Sequence, residues 1–250
     1  MIEISKASIT FNKGTANEIQ ALKQVDLVVS KGEFLVVLGA NGSGKSTLLN
    51  ALAGNLKIDS GSIYIDKIDV TQWKDFERSK FISRIFQNPL SGTAPDLSIL
   101  DNFRLAALRT KSKSLRLGID EAFRSKVREK ISLLEMGLEN KLDQNMGLLS
   151  GGQRQALTLL MAVMDNTKLL LLDEPTAALD PKSSSIVIEI AQKLIREYQL
   201  TALLVTHETK FAQNLGTRVI QVEQGKIIRD ISAEKKQSTT AQDYYSWFHS

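Results

Sequence analysis

Three glycines and a lysine lie close together near residue 40, where the sequence reads GANGSGKS. The stretch fits the pattern G-x-x-x-x-G-K-[ST], in which small residues let consecutive backbone N–H groups surround a phosphate. The lysine ammonium would reach the β- and γ-phosphates, and Ser46 would offer its hydroxyl to Mg²⁺. A structural glycine turn is the alternative. Because an apolar run precedes the stretch and a helical run follows it, we predict a phosphate loop formed by Gly39, Asn41, Gly42, Ser43, Gly44, Lys45, Ser46 and Thr47.

Two adjacent carboxylates follow a second apolar run, in LLLLDEP from Leu169 to Pro175. The run is typical of a strand buried on both faces, which would deliver Asp173 and Glu174 at its carboxyl end, where open α/β sheets bind ligands. Side chains alternate along a strand, so the two carboxylates diverge. Asp173 is therefore predicted to hold Mg²⁺, and Glu174 to act as general base on an attacking water. The alternative is a pair of acids that merely end a strand before a proline turn.

A third group of small residues opens a helical pattern in LLSGGQRQALTLL. Ser150, Gly151, Gly152 and Gln153 would form an anion site at a helix N-terminus. One chain with one nucleotide needs a single phosphate loop, so this second site is predicted to serve the nucleotide of another chain. A serine N-cap followed by flexible glycines is the alternative.

The elements that must position these groups alternate between strands and helices. The alternation of apolar and polar residues from Ile2 to Leu38 predicts β hairpins. The stretch KSTLLNALAG predicts a helix that ends at Gly54. Further strands are predicted at SIYID, FISRIF, KLLLLDE and TALLVTH, and further helices at QRQALTLLMAVM and SSSIVIEIAQKLIREY. This order predicts an α/β fold with a parallel sheet.

A helical insertion separates the two halves of that pattern. Helical spacing recurs in SILDNFRLAAL and again from Ile119 to Leu134, with a C-terminal cap expected at Gly137. We predict one domain over 1–250, a helical subdomain over about 88–150 and a short C-terminal extension over 231–250. Within the extension, AEKKQSTTAQ is linker-like and YYSWF is amphipathic.

Composition narrows the functional classes. The 250 residues include no cysteine, which excludes disulfides, zinc thiolate sites and a cysteine nucleophile, and favours a reducing compartment. No signal peptide and no long apolar span are visible, so the chain is not expected to cross a membrane. The net charge is +4, but most Lys and Arg residues are interleaved with Asp and Glu, so the charge alone decides little, and no nucleic-acid partner is predicted. The basic stretch from Arg109 to Arg116 is interpreted as a solvated loop, with anionic lipid headgroups as the alternative.

Taken together, the motifs resemble those of ATP-binding cassette (ABC) ATPases over nearly all of the chain. GANGSGKST resembles the Walker A motif, FQNP the Q-loop, LSGGQRQ the signature, LLLLDEP the Walker B motif, AALD the D-loop and VTHE the H-loop. The resemblance implies a RecA-like mixed-sheet core with an N-terminal antiparallel β subdomain and an inserted helical subdomain. It implies ATP and Mg²⁺ as the ligands, and ATP hydrolysis as the activity.

The resemblance also implies roles for four further residues. Phe11 would stack on adenine, although tyrosine is more usual there, and an ordinary strand residue is the alternative. Gln87 would reach Mg²⁺ and the attacking water, with a polar strand end as the alternative. His207 would contact the γ-phosphate rather than being a histidine at the core edge. Asp180 would belong to the D-loop at a dimer interface, against the alternative of a helix N-cap before Pro181.

Transport fits this sequence better than a role on nucleic acid or the ribosome. Gln87 and Ser150 are too close in sequence to enclose a long coiled-coil arm, and only one motif set is present. The resemblance implies a second copy of the chain, a transmembrane permease and an extracytoplasmic substrate-binding protein as partners, at the cytoplasmic face of the membrane. The segment Asn88–Ala106 resembles the insert of bacterial tryptophan/tyrosine-type or uncharacterised importer ATPases. Alternatives are the ATPase of an exporter or lipoprotein-release system, or a non-transport ABC ATPase.

Coupling to the permease is predicted to run from Gln87 into the helical insertion. Apolar residues cluster at the start of that insertion, at Leu97, Ile99, Leu100 and Phe103. They are too many for one face of a short helix to hide, so we expect some to form an exposed groove for a permease helix. The alternative is that all four pack inside the subdomain.

Overall fold

The computed structural model describes residues 1–109 and 119–247. Its strands are β1 Ile2–Phe11, β2 Ile19–Val29, β3 Phe34–Leu38, β4 Ser60–Ile65, β5 Ile68–Asp69, β6 Ile82–Ile85, β7 Leu169–Asp173, β8 Thr201–Thr206, β9 Arg218–Glu223 and β10 Lys226–Ile231. Its helices are α1 Lys45–Ala53, α2 Asp75–Arg78, α3 Ile99–Ala107, α4 Glu121–Ser132, α5 Gly151–Ala162, α6 Pro181–Glu197, α7 Thr209–Asn214, α8 Ala233–Ser238 and α9 Ala241–Ser246. Single 3₁₀ turns lie at Leu138–Asn140 and Met146–Leu148.

The strands form two sheets. An antiparallel sheet has the order β2-β1-β4-β5, and a mixed sheet has the order β10-β9-β3-β8-β7-β6. In the mixed sheet, β9, β3, β8, β7 and β6 run parallel, and β10 is antiparallel to β9. The α/β fold with an antiparallel and a mixed sheet is therefore confirmed.

The register of the parallel strands brings the predicted motifs to one edge of the mixed sheet. Leu38, the last residue of β3, pairs with Thr206, the last residue of β8. Asp173, at the end of β7, pairs with Val205 on the other side of β8. Ile85, at the end of β6, pairs with Leu172. The segments that follow these four strands leave the sheet together, as expected for the ligand edge of an open α/β sheet.

Hydrophobic residues cover both faces of the mixed sheet. On one face, Val36, Leu38, Leu170, Leu172 and Leu204 pack with α3, α5 and α6. On the other face, Leu35, Val37, Leu171, Leu203 and Val205 pack with α1 and the antiparallel sheet. Burial on both faces explains why β3, β7 and β8 are continuous apolar runs rather than alternating ones.

The C-terminal end of helix α1 is held by a glycine cap and by a buried arginine. The helix ends at Gly54, whose φ of 84° gives the left-handed cap that was predicted there. Beyond that cap, the buried Arg78 guanidinium donates to the carbonyl oxygens of Ala51 and Leu52 at 2.7 and 2.9 Å. Burial lowers the pKa of Arg78 to about 10. The helix that follows the glycine-rich loop is thus attached to the core at its far end.

The structure corrects two of the local predictions. Helix α4 ends at Ser132, so Gly137 does not cap it; Gly137 instead precedes the 3₁₀ turn Leu138–Asn140 with a φ of 68°. Residues 233–238 of the predicted linker form α8. Tyr244 and Trp247, beyond the linker, are buried in the core on the α6 face of the mixed sheet. The basic stretch lies outside the described residues except for Arg109.

Candidate active site

The glycine-rich loop leaves β3 and opens α1, as the motif requires. Gly44, immediately before α1, has a φ of 111°, a conformation that residues with a side chain rarely adopt. A Cβ at Gly44 would also lie 2.6 Å from the carbonyl oxygen of Ala21 in β2. The loop is thus packed against the antiparallel sheet, with its backbone in the conformation of an anion-binding concavity.

Two buried polar groups in this loop are suited to a phosphate. The Lys45 side chain is 5% exposed, and its ammonium donates to the carbonyl oxygens of Gly39 and Ala40 at 2.8 and 2.9 Å. Burial lowers the pKa of Lys45, and the nearby carboxylates of Glu174 and Asp173 act in the opposite direction. The Ser43 hydroxyl is buried without a hydrogen-bond partner among the described residues. A phosphate oxygen would satisfy both groups.

The Asp173 carboxylate lies between a hydroxyl and a guanidinium. The Ser46 hydroxyl donates to Asp173 Oδ1 at 3.4 Å, and Arg84 Nη2 donates to Asp173 Oδ2 at 2.5 Å. One carboxylate and one hydroxyl fit a hard cation that keeps water and phosphate oxygens as its other ligands, as Mg²⁺ does. Within residues 1–109 and 119–247, no group of three His, Cys, Asp or Glu residues is arranged to hold a metal ion.

Glu174 and His207 meet at the same edge of the sheet. Glu174 Oε2 lies 3.2 Å from His207 Nδ1, and the two side chains are 14% and 49% exposed. The Glu174 backbone has a φ of 44°, an uncommon conformation for a residue with a side chain, and its N–H donates to the carbonyl oxygen of Val205. Strain of this kind persists where the surrounding structure over-determines a position, which occurs often at active sites.

The N-terminus of α5 is capped by Ser150. Its hydroxyl accepts a hydrogen bond from the Gln153 N–H, and the Gln153 side chain accepts one from the Ser150 N–H, both at 3.2 Å. A Cβ at Gly152 would lie 2.7 Å from the Ser183 Cβ of α6, so this glycine is also required for helix packing. Within one chain, this segment is a serine N-cap, which was the predicted alternative. Binding of a second chain's nucleotide by the same segment stays a prediction.

The other predicted residues lie at the ends of strands and helices. Gln87 is exposed two residues beyond the end of β6. Asp180 caps α6 by accepting from the N–H groups of Lys182 and Ser183, and hydrogen bonds from Ser183 lower its pKa. Phe11 is 37% exposed at the end of β1, where it pairs with Ile19, two residues from the Ala21 carbonyl beside the phosphate loop.

The predicted apolar groove is largely absent. Ile99, Leu100 and Phe103 are at most 2% exposed, because α3 packs them against α4, α5 and the core. Leu97 is 41% exposed, and it is the one member of the set left at the surface. Nearby exposed leucines are Leu90 and Leu105. The expectation that some of the four residues are exposed is met by Leu97 alone, and the other three pack inside, as the alternative had it.

Two contact residues at the site were missed from the sequence. The Gly225 N–H donates to the Ser43 carbonyl at 2.8 Å, from the turn between β9 and β10. That hairpin was detectable as alternating apolar residues on both sides of Gln224-Gly225. Arg84 was detectable as the one charged residue in the strand pattern FISRIF.

A phosphate loop after a central parallel strand, with an acidic strand end beside it, defines the class of P-loop nucleotide hydrolases. The sequence model of the ABC transporter family matches residues 22–177. A tyrosine transport ATP-binding protein of Clostridioides difficile (strain R20291) is 36% identical over 251 residues, 99% of this chain and 98% of that protein. A phosphonates import ATP-binding protein of Lactobacillus acidophilus is 33% identical, over 98% of this chain and 95% of its own length.

Solved structures agree with the sequence comparison. A dimeric ATP-binding cassette in a post-hydrolysis state, bound to ADP and Pi, superposes with a TM-score of 0.79 at 30% identity. The match covers 93% of this chain and 99% of that one. This protein therefore belongs to the ABC transporter family, and it is an ATP-binding, ATP-hydrolysing cassette.

Proposed function

We propose that this chain is the ATPase subunit of a bacterial ABC importer and that it acts as a homodimer on two MgATP. The observation that carries the proposal is the convergence of Lys45, Asp173, Glu174 and His207 at one edge of the mixed sheet. The four groups come from three different strand ends, and each has the chemistry that one part of phosphoryl transfer needs.

ATP binding uses the phosphate loop. In the structure the Lys45 ammonium is held by loop carbonyls, so its charge is already positioned where the β- and γ-phosphates would lie. The N-terminus of α1 adds the positive end of its dipole. Ser46 and Asp173 would hold Mg²⁺, which would supply positive charge that neutralises the phosphates. Phe11, on the neighbouring sheet, would stack on the adenine.

Hydrolysis uses the two groups that follow β7 and β8. Glu174 accepts a proton from the attacking water as general base. His207, which lies beside Glu174, contacts the γ-phosphate in this proposal. Gln87 reaches the water and Mg²⁺ from the end of β6. The charge of the γ-phosphate must also be neutralised during transfer, and more donors than these side chains would serve that purpose.

A second copy of the chain completes the site. We assign that part to Ser150, Gly151, Gly152 and Gln153, because the α5 N-terminus presents N–H groups and a hydroxyl to an anion. Asp180 would lie in the same interface, at the N-terminus of α6. A solved cassette of the same fold is dimeric with ADP and Pi bound, which supports this arrangement.

Transport requires a membrane partner. No helix within residues 1–109 and 119–247 is long and apolar enough to span a bilayer. In this proposal the chain binds a separate permease at the cytoplasmic face of the membrane, through the segment 88–106 of a helical subdomain that spans about 88–150. Relatives named for tyrosine transport and phosphonates import support import, and an amino acid is the favoured solute. An extracytoplasmic substrate-binding protein would deliver it.

The test is co-purification of the tagged chain from detergent-solubilised membranes, followed by ATPase assays with and without the recovered membrane subunit. We expect a membrane-spanning partner that raises the hydrolysis rate, and a binding protein whose ligand raises it further. A chain that hydrolyses MgATP at full rate alone and recovers no membrane subunit would contradict the transport assignment.

A further inference from the structure

The Gln155 side chain is buried at the centre of the active-site scaffold. It projects from α5, one and a half turns beyond the Ser150 cap, and is 1% exposed. Its amide nitrogen donates to the Phe86 carbonyl at 2.9 Å and to the Pro175 carbonyl at 3.0 Å. Both partners are acceptors, so the orientation of the amide is determined by the contacts themselves.

The two carbonyls that Gln155 binds flank the predicted catalytic groups. Phe86 immediately precedes Gln87, and Pro175 immediately follows Glu174. These backbone groups lie beyond the ends of β6 and β7, where the sheet ladder no longer pairs them. One buried amide thus joins α5, the helix that the signature motif opens, to the Q-loop and to the segment that carries the general base.

Helix α5 can transmit a displacement from its N-terminus to this amide. Ser150 and Gln153 cap the helix reciprocally, and the neighbouring Arg154 donates to the carbonyl oxygens of Met146, Gly147 and Leu149. The segment 146–149, which precedes α5, is therefore bonded to the helical turn that contains Gln155. A movement of Ser150 would move the Gln155 amide with little change in the helix between them, because helices deform less easily than loops.

We propose that Gln155 is a positioning residue that holds Gln87 and Glu174 in register with the signature segment Ser150–Gln153. When Ser150 docks on the nucleotide of the second chain, this amide places the general base and the Q-loop glutamine of its own chain for hydrolysis. Each nucleotide site then senses occupation of the other through one side chain. The communication between the two nucleotide sites rests on the proposed homodimer. The positioning of Gln87 and Glu174 rests on the two hydrogen bonds of Gln155.

The main test compares Gln155→Met with Thr158→Val in the full-length protein. Methionine keeps the length of the side chain but has no donor, so both carbonyls lose their partner. Thr158 is a matched control: it is buried in the same helix, and its hydroxyl donates only to the Arg154 carbonyl one turn back. We expect Gln155→Met to lower kcat about tenfold or more, with KM and monomer ATP affinity within about twofold of the wild type.

Hydrogen exchange supplies a measurement that does not depend on turnover. In Gln155→Met, amides of 86–92 and 174–180 should exchange faster together, while those of the phosphate loop 39–47 keep their wild-type rates. Thr158→Val should change neither segment. If exchange rises equally throughout α5 in both variants, Gln155 is only a structural residue and the proposal is wrong.

Kinetics overturn the proposal when the kcat of Gln155→Met stays within about twofold of that of Thr158→Val. They also overturn it when KM rises while kcat is unchanged. Failure of the homodimer is recognised separately, because Ser150→Arg would then hydrolyse ATP like the wild type. A tenfold loss in Gln155→Met would in that case still establish the link from Gln155 to Gln87 and Glu174 within one chain.

Discussion

Replacing Arg84 with methionine tests whether Asp173 faces the metal. The Arg84–Asp173 ion pair joins side chains that are only 13% and 14% exposed, and Arg84 Nη1 also donates to Asn50 Oδ1 of α1 at 2.6 Å. Methionine is unbranched, apolar and flexible, so it can fill the space beside the Phe86 ring, over which the guanidinium now lies at 4.9 Å from the ring centre. The substitution therefore removes the charge and its hydrogen bonds while preserving most of the packing.

The magnitude follows from the burial of this pair. Removing one partner of a fully buried pair costs about 3–5 kcal/mol, and the partial exposure here reduces the expected loss to about 2 kcal/mol. For a chain of this size, that loss corresponds to a Tm lower by about 4–8 °C. Mg²⁺ bound beside Asp173 would replace the missing positive charge, so the Tm difference should narrow by about half or more in MgATP.

The assay is thermal unfolding without nucleotide, with ATP and EDTA, and with MgATP. Arg124→Met is the matched control, since Arg124 forms a two-bond pair with Asp143 at the surface, where Asp143 is 76% exposed. We expect the control to change Tm little, and equally in all three conditions. A Tm loss for Arg84→Met that is the same with and without Mg²⁺ would refute the assignment of Asp173 to the metal.

Three further predictions address other parts of the account. Lys45→Ala should abolish the rise in Tm that MgATP produces, because the loop amides alone would face the phosphate charge; a normal rise would contradict the phosphate-loop assignment. Leu97→Glu should keep ATP binding by the isolated chain but lose permease association and transport, whereas Leu133→Glu, at a leucine that is 52% exposed in the same helical segment, should keep both. Asp180→Ala should lower Tm at neutral pH and approach the wild type in acid, because the pKa of Asp180 is lowered in the folded chain and its carboxylate stabilises the fold only above that pKa. Unfolding curves measured from neutral to acid pH decide this last point, and a constant difference would contradict it.

Local patterns were enough to predict the elements that carry the site. The phosphate loop, the cap of α1 at Gly54 and the apolar strands β7 and β8 each depend on residues within one short stretch. Because the carboxyl ends of parallel strands share one edge of a sheet, the alternation of strands and helices also placed Asp173 and the glycine-rich loop at the same edge.

Long-range packing was not accessible in the same way. Arg84 meets Asp173, and Gln155 meets Phe86 and Pro175, only once α5 and the sheet have assembled. The burial of Phe103 depends likewise on α4 and α5, which lie later in the chain. Helical periodicity shows that a residue lies on an apolar face, and it does not show which other element covers that face.

The central claim is that two chains share each nucleotide, and the mass of Glu174→Gln in MgATP tests it most directly. This variant keeps the shape of the site but cannot accept the proton from water, so ATP should remain bound and the dimer should persist. Light scattering should give about twice the 27.7 kDa of one chain, and the double variant Glu174→Gln/Ser150→Arg should stay monomeric while still binding ATP. A monomeric Glu174→Gln protein with ATP bound, or a dimer that Ser150→Arg does not disrupt, would contradict the account.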